Sequence, residues 1–305
     1  MGRVMKPVVS PKELAMAIGV SESSLKRWAD DGLISASRTA GGHRRIQIGE
    51  AIRFIRESKA TLVRPDILGL SGIATTRDEI TSPDEPAERL YDHLYAGRGI
   101  EARGLLLYLY LTGQSVADIA DDVIRPALER LGELWRHDDA GIFIEHRSMD
   151  VIAQAVRQLR AIAEPESYEE VALGGAPSGD PYILPTLLAA TTLEGEGIQG
   201  VNLGPDLPFD ALYAGIRRHQ PALVWMSVTA VRDARAIEGG IATIAEAAAA
   251  CGALFVLGGQ ALRQVRVPAH PCIRVGERMA DLVKIAQGLR RSRVQQASPD
   301  AGTPA

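Results

Sequence analysis

The sequence predicts a multidomain chain. A winged helix-turn-helix occupies residues 1–60, an antiparallel four-helix bundle residues 84–165, and an α/β domain on a parallel sheet residues 166–293. Three observations carry this. Two capped helices and a glycine turn flanked by arginines crowd into the first 60 residues. Four amphipathic runs follow, punctuated by Gly97, Gly113 and Gly141. After Pro165, short apolar runs alternate with helical ones. A length of 305 residues allows two or three domains.

The first helix starts at Ser10-Pro11-Lys12-Glu13, where Ser10 and Glu13 form a reciprocal capping pair and Pro11 takes the first helical position. It carries Leu14, Ala17 and Ile18 on one face and stops at Gly19. A second helix starts at Ser21, turns Leu25 and Trp28 inward, and ends at Asp31-Gly32. Lys26 and Arg27 lie off that apolar stripe. In a pair so joined, the second helix enters the DNA major groove. Ile34–Arg38 and His43–Ile48 then pair as strands around Ala40-Gly41-Gly42, with Arg38, His43, Arg44 and Arg45 placed against phosphates. A third helix, Gly49–Ser58, packs through Ile52 and Ile55.

Residues 61–83, with Pro65, Gly69, Gly72 and Pro83, read as a linker. The bundle helices fall at about 84–95, 99–112, 116–138 and 142–163, with Ser115 and Asp118 capping the third. In the α/β domain, strands are expected at Glu169–Gly174, Gln199–Leu203, Ala222–Thr229, Leu254–Gly258 and Cys272–Val275. Helices at about 183–196, 209–219, 233–250 and 279–291 alternate with them, as in a parallel sheet covered on both faces. Polar residues and glycines gather at the strand ends: Gly174-Gly175, Gly204-Pro205-Asp206, Ser227, Thr229 and Gly258-Gly259. They suit either a ligand site or ordinary strand-to-helix turns. The polar, aperiodic residues 294–305 read as a disordered tail.

Charge separates the parts. Residues 1–65 hold twelve Lys and Arg against six Asp and Glu, a net of +6, so the other residues carry −10 of the overall −4. A basic head on an acidic body suits nucleic-acid binding by the head alone. No signal peptide and no run of 18 apolar residues is evident, and two cysteines, Cys251 and Cys272, suit a reducing, cytoplasmic setting. The six histidines lack metal-site spacing, and no hydrolase triad, phosphate loop or zinc cluster is present; the chain reads as a non-enzyme.

Leu25-Lys26-Arg27-Trp28, Gly32-Leu33-Ile34 and Arg38-Thr39-Ala40-Gly41-Gly42-His43-Arg44-Arg45-Ile46 resemble the winged helix-turn-helix of the MerR family of transcriptional regulators, over about 60 residues. The family's long coiled-coil dimerisation helix has no counterpart after Lys59, so a homodimer or homotetramer must assemble through other parts.

A second resemblance covers nearly the whole chain. Leu203-Gly204-Pro205-Asp206-Leu207-Pro208, Ser227-Val228-Thr229 and Gly258-Gly259 are similar to the nucleotide-tail pocket of cobalamin-binding, flavodoxin-like domains. Trp135, followed after nine residues by Glu145-His146, resembles the signature of light-responsive, cobalamin-dependent MerR-type repressors, the CarH and LitR group. The resemblance implies that Trp135, Glu145 and His146 line the upper face of adenosylcobalamin. It also implies that light dismantles a DNA-bound oligomer, a switch that works through differential affinity for two assembly states.

One departure stands out. Such domains carry Asp-x-His-x-x-Gly, whose His ligates cobalt from below; here the segment reads Asp180-Pro181-Tyr182-Ile183-Leu184-Pro185. Imidazole is a good ligand, whereas a free phenol, with a pKa near 10, is a poor one. Pro185 in place of glycine is expected to stiffen and crowd the loop. Three readings stay open: a corrinoid bound without that ligand, with His146 near cobalt above; another tetrapyrrole, a bilin or haem; or no cofactor and control by a protein antirepressor. The rival from another class is a corrinoid carrier subunit of a methyltransferase.

Overall fold

A computed structural model describes residues 7–70, 73, 85–134, 139–165 and 167–297. The chain divides into two units, Met1–Glu166 and Ser167–Ala305. Among the described residues no helix is long and apolar enough to cross a membrane.

The first unit opens with β1 (Val8–Val9), α1 (Pro11–Ile18) and α2 (Glu22–Asp30). The expected capping pair is present: Ser10 Oγ accepts from the Glu13 amide at 3.2 Å and Glu13 accepts from the Ser10 amide at 2.8 Å. Gly19 ends α1 at φ +72°. Leu25 is fully buried, and the Trp28 ring packs on Phe54 with centroids 5.4 Å apart. Strands β2 (Ser37–Arg38) and β3 (Arg44–Gln47) pair antiparallel, Ser37 opposite Arg45 and Arg38 opposite Arg44. Gly42, at φ +78°, lets the turn between them close. Two features differ from the sequence expectation. β1, too short to show a period, adds a third strand along β3. The strand expected from Ile34 begins only at Ser37, because Ile34 is buried and the Ser35 amide donates to the Glu50 carboxylate, which removes it from any ladder.

Helix α3 (Ile48–Ser58) follows, its buried face formed by Ile48, Ala51, Ile52, Phe54 and Ile55. The segment read as a linker is folded over its first part. The Val63 and Arg64 amides donate to Ala17 O at 2.7 and 3.0 Å, and a short 3₁₀ turn at Pro65–Leu68 buries Leu68 and Leu70 completely. Residues 71–72 and 74–83 of that expected linker, and residue 84 of the expected bundle, lie outside the described residues.

Four helical stretches come next: α4 (Glu85–Tyr95), α5 (Gly99–Leu111), a third of three parts, and α8 (Asp139–Ala163). The third runs as α6 (Val116–Asp118), a π segment at Ile119–Ile124, and α7 (Arg125–Leu134). The π segment is marked by the Arg125 amide donating to Ala120 O, five residues back. Residues 135–138 of the expected helix lie outside the described ones. Helix α5 buries Leu105, Leu106, Leu107, Leu109, Tyr110 and Leu111, apolar residues on all its sides. Such a helix must be covered all round. α4, α8, α3 and the π segment supply the cover. The Arg56 guanidinium of α3 lies 3.9 Å from the Tyr110 ring centroid. It also donates to Tyr110 O, to Gln114 O at 3.0 Å and to Gly113 O at 3.5 Å, capping the end of α5. Through α3, residues 7–60 are therefore seated on the helices, not tethered beside them.

The second unit is a five-stranded, all-parallel sheet in the order β5-β4-β6-β7-β8, the flavodoxin-like order. Its elements are β4 (Glu170–Gly175), α9 (Ile183–Gly195), β5 (Ile198–Asn202), α10 (Phe209–His219), β6 (Leu223–Ser227), α11 (Ala234–Ala250), β7 (Leu254–Gly258), β8 (Ile273–Val275) and α12 (Met279–Ala297). One face packs under α10 and α11 through Val224, Met226, Ile241 and Phe255; the other packs under α9 and α12 through Leu193, Leu223, Trp225, Leu282 and Ala286. Helix α12 continues through Ala297, past the boundary expected at 294; residues 298–305 of the expected tail lie outside the described ones.

Candidate functional site

In the first unit the N-terminus of α1, the start of α2 and the β2–β3 hairpin enclose a groove of about 560 Å³. Lys12, Lys26, Arg38, His43, Arg44 and Arg45 line it. Its one lining acid is Glu22, which pairs with Lys26 at 2.8 Å; that ammonium holds the Glu22 carboxyl below its usual range. Strand pairing sets Arg38 beside Arg44, and the hairpin turn carries His43, exposed, toward solvent. Glu22 and Asp30 offset Lys26 and Arg44; the other basic residues leave the groove with an excess of positive charge, which an anion would offset.

Two residues depart from the sequence reading of this surface. Arg44, which also lines the groove, donates to Asp30 at the end of α2 and is largely buried, clamping the hairpin to that helix. Lys12 joins the groove from α1, a position that helical spacing alone did not single out. Arg27 stands exposed on α2, outside the groove lining, and Arg45 is exposed.

On α8, Glu145 is half-buried and His146 exposed. As helix neighbours they point about 100° apart. Beside them Ile142 and Phe143 are exposed, Phe143 to 64%. Arg147, whose guanidinium lies 5.3 Å from the Phe143 ring centroid, donates to Leu94 O and Tyr95 O at 2.8 and 2.9 Å, capping α4. Trp135, the third residue of the expected upper face, lies outside the described residues. Among the described residues no group of three or more His, Cys, Asp and Glu side chains is placed to hold a metal ion, so His146 has no such companions there.

In the second unit the strand order reverses between β4 and β6, where the carboxyl ends of a doubly wound sheet leave a crevice. Asp180, fully buried, sits across it. One carboxylate oxygen accepts from the Tyr182 amide at 3.1 Å; the other accepts from the amides of Thr229 and, at 3.0 Å, Ala230. These bonds stitch the loop after β4 to the loop after β6. Tyr182 is 40% exposed and occupies the N-cap position of α9 without a side-chain cap bond. Pro185 lies in the first turn of α9 rather than in a loop; its missing N–H would have had no helical partner there.

The glycines divide. A Cβ on Gly259, which has φ +102°, would overlap the Val228 backbone, and one on Gly175 would fall 2.6 Å from Gly204 O. These two serve internal backbone approach, the turn reading. Gly204, at φ +84°, faces open space, and Gly258 comes to 3.0 Å from Gly276 O. Ser227 is buried at the end of β6, and the Thr229 hydroxyl is buried with no hydrogen-bond partner among the described residues.

Comparison with known proteins bears on the helices and on the sheet. Residues 86–160 match the family described as a B12 binding domain. No curated protein matches the chain. Among solved structures, the monomethylamine corrinoid protein of Methanosarcina barkeri superposes with a TM-score of 0.53 at 16% identity, covering 68% of this chain and 100% of that one. A cobalamin-binding protein from Desulfitobacterium hafniense gives a TM-score of 0.34 at 16% identity, over 69% of this chain and 99% of that one. The methanol:cobalamin methyltransferase complex of Methanosarcina barkeri gives 0.34 at 16% identity, over 73% and 96%. The fold is thus shared with a corrinoid protein, and the helices from 86 to 160 carry the sequence pattern of a B12 binding domain.

Proposed function

We propose that the chain is a transcriptional regulator of MerR type, a repressor, that binds promoter DNA through its winged helix-turn-helix. The remaining residues, a four-helix bundle and a flavodoxin-like domain, act as its sensor. The observation that carries this reading is the groove lined by Lys12, Lys26, Arg38, His43 and Arg45 between helices and hairpin. In this reading α2 enters the major groove and the hairpin tracks the adjacent phosphates. The B12 binding domain match over 86–160 supports a tetrapyrrole as the signal, light being one way to change it. The protein works as a cytoplasmic homo-oligomer, because several heads on one DNA raise apparent affinity.

The residues at the place where the resemblance expects the lower ligand do not fit the usual cobalt ligation: Tyr182 offers a phenol where an imidazole is needed, and both Asp180 carboxylate oxygens already accept backbone amides. No step of the switch is therefore routed through a lower-face cobalt bond. The same mismatch, with the basic head, argues against a corrinoid carrier in methyl transfer. Seating of α3 on α5 gives the sensor a route to the head: a shift of the bundle helices moves Arg56 and, with it, the reading helix.

The test is selection of duplexes from a random DNA pool by the full chain, followed by salt titration. Enrichment of one sequence, with affinity falling steeply as salt rises, is the expected result. Failure to retain any duplex at low salt would reject the reading.

A further inference from the structure

The α9–α12 face of the sheet holds a feature that the turn residues do not explain. Leu223, Trp225 and Ser227 alternate along β6, so Trp225 lies on the same face as Ser227, one step deeper. Trp225 is 2% exposed. It lies so close to β4 that a Cβ on Gly174, its partner in the ladder, would overlap the indole ring. The indole N–H donates to the Thr186 hydroxyl at 3.0 Å, Thr186 donates to Asn202 Oδ1 at 2.9 Å, and that oxygen also accepts from the Gly204 amide at 3.0 Å. The chain of bonds runs from β6 through the first turn of α9 to the end of β5. It ties together the elements that surround Ser227 and Gly204, the residues that the resemblance gives to a nucleotide-tail pocket.

An indole and a benzimidazole are the same fused six- and five-membered ring system in size and shape. A base inserted beneath Ser227 would need the volume that Trp225 fills, and glycine at 174 makes room for the protein's own ring. We propose that Trp225 is a built-in occupant of the tail space. The α/β domain then selects tetrapyrroles that place no base inside the sheet, either corrinoids with the nucleotide held outside or macrocycles with none. This rests on the tetrapyrrole reading above and names its ligand class.

Two measurements on the full chain test it. First, free 5,6-dimethylbenzimidazole is titrated into wild type, Trp225→Ala and Trp225→Val by calorimetry, with circular dichroism to confirm folding. Either variant, once folded, should bind the base at least about tenfold more tightly than wild type, since an apolar void of that shape accepts a planar guest. Equal binding by wild type would overturn the proposal, as would no binding by a folded variant. Second, cobalamin is compared with cobinamide, which lacks the nucleotide. Wild type should bind the two within about threefold, less than 1 kcal/mol apart. A preference of tenfold or more for cobalamin, with the spectrum of a displaced base, would overturn the proposal. If wild type binds neither corrinoid, the corrinoid form of the sensor reading fails, while the free-base titration still decides the role of Trp225.

Discussion

Replacing Asp180 with alanine should loosen the α/β domain at the crevice between β4 and β6. The side chain is fully buried and accepts three backbone amides, from Tyr182, Thr229 and Ala230. Truncation leaves those donors facing a small void. At about 1–3 kcal/mol for each buried donor left unpaired, and allowing for partial collapse, the loss is roughly 4 kcal/mol. Asparagine should do less harm. Its carbonyl oxygen can keep the Thr229 and Ala230 amides while its NH₂ opposes the Tyr182 amide, which forfeits one bond and costs about 1–2 kcal/mol. Hydrogen exchange of the β6–β7 ladder amides in the full chain across a urea series reads the stability of this unit; exchange at the Thr229 and Ala230 amides reads the site. The expected order is wild type, then Asp180→Asn, then Asp180→Ala, with both amides exchanging faster in the alanine variant. Stability of Asp180→Ala within about 1 kcal/mol of wild type, a range ordinary for surface changes, would refute the latch. Unchanged exchange at the two amides would refute it independently.

Three further outcomes follow from the first unit. Burial pushes the Glu50 carboxyl up, but Arg53, bonded to it twice at 2.6 Å, and the Ser35 amide outweigh burial and hold it below the ordinary 4.5. Its contribution is therefore present above that value and lost as pH falls toward the depressed one. Urea midpoints of wild type and Glu50→Gln should differ by a constant amount at neutral pH and converge on acidification; a gap that widens in acid contradicts the assignment. Arg56→Ala removes the cap on α5 and the contact with Tyr110, and should weaken the head's seat by about 1–3 kcal/mol, seen as faster exchange at the end of α5. Arg56→Lys should not rescue it, because an ammonium cannot reach three carbonyls and stack as well. Arg45→Ala should lower the salt slope of DNA binding by about one, as loss of a phosphate contact does, whereas Arg44→Ala should weaken binding with the slope nearly kept, since Arg44 holds the hairpin to Asp30. Equal slope changes in the two variants would argue against that division.

Much of this architecture is written in short-range sequence. The Ser10–Glu13 capping pair, the Leu25 and Trp28 stripe and the glycine turn at Gly42 each depend on residues within four positions of one another, so spacing alone finds them. Alternation likewise finds the parallel sheet, with β7 at the expected Leu254–Gly258 and α10 at Phe209–His219. The strand order does not follow from alternation, which fixes neither neighbours nor the place where the order reverses. The basic groove is half legible: composition shows a positive head, but only folding brings Lys12 of α1 beside the hairpin and pairs Arg44 with Asp30. That Tyr182 stands where the resemblance expects a histidine is plain in the sequence; that Trp225 reaches Thr186 is not. Trp225 meets Thr186 across 39 positions, Asp180 meets Thr229 across 49, and Arg56 meets Tyr110 across 54. Periodicity carries no information at such separations. A side chain's hydrogen-bond partner there is chosen by which strands and helices the hydrophobic cores have already drawn together, and that choice is made in three dimensions.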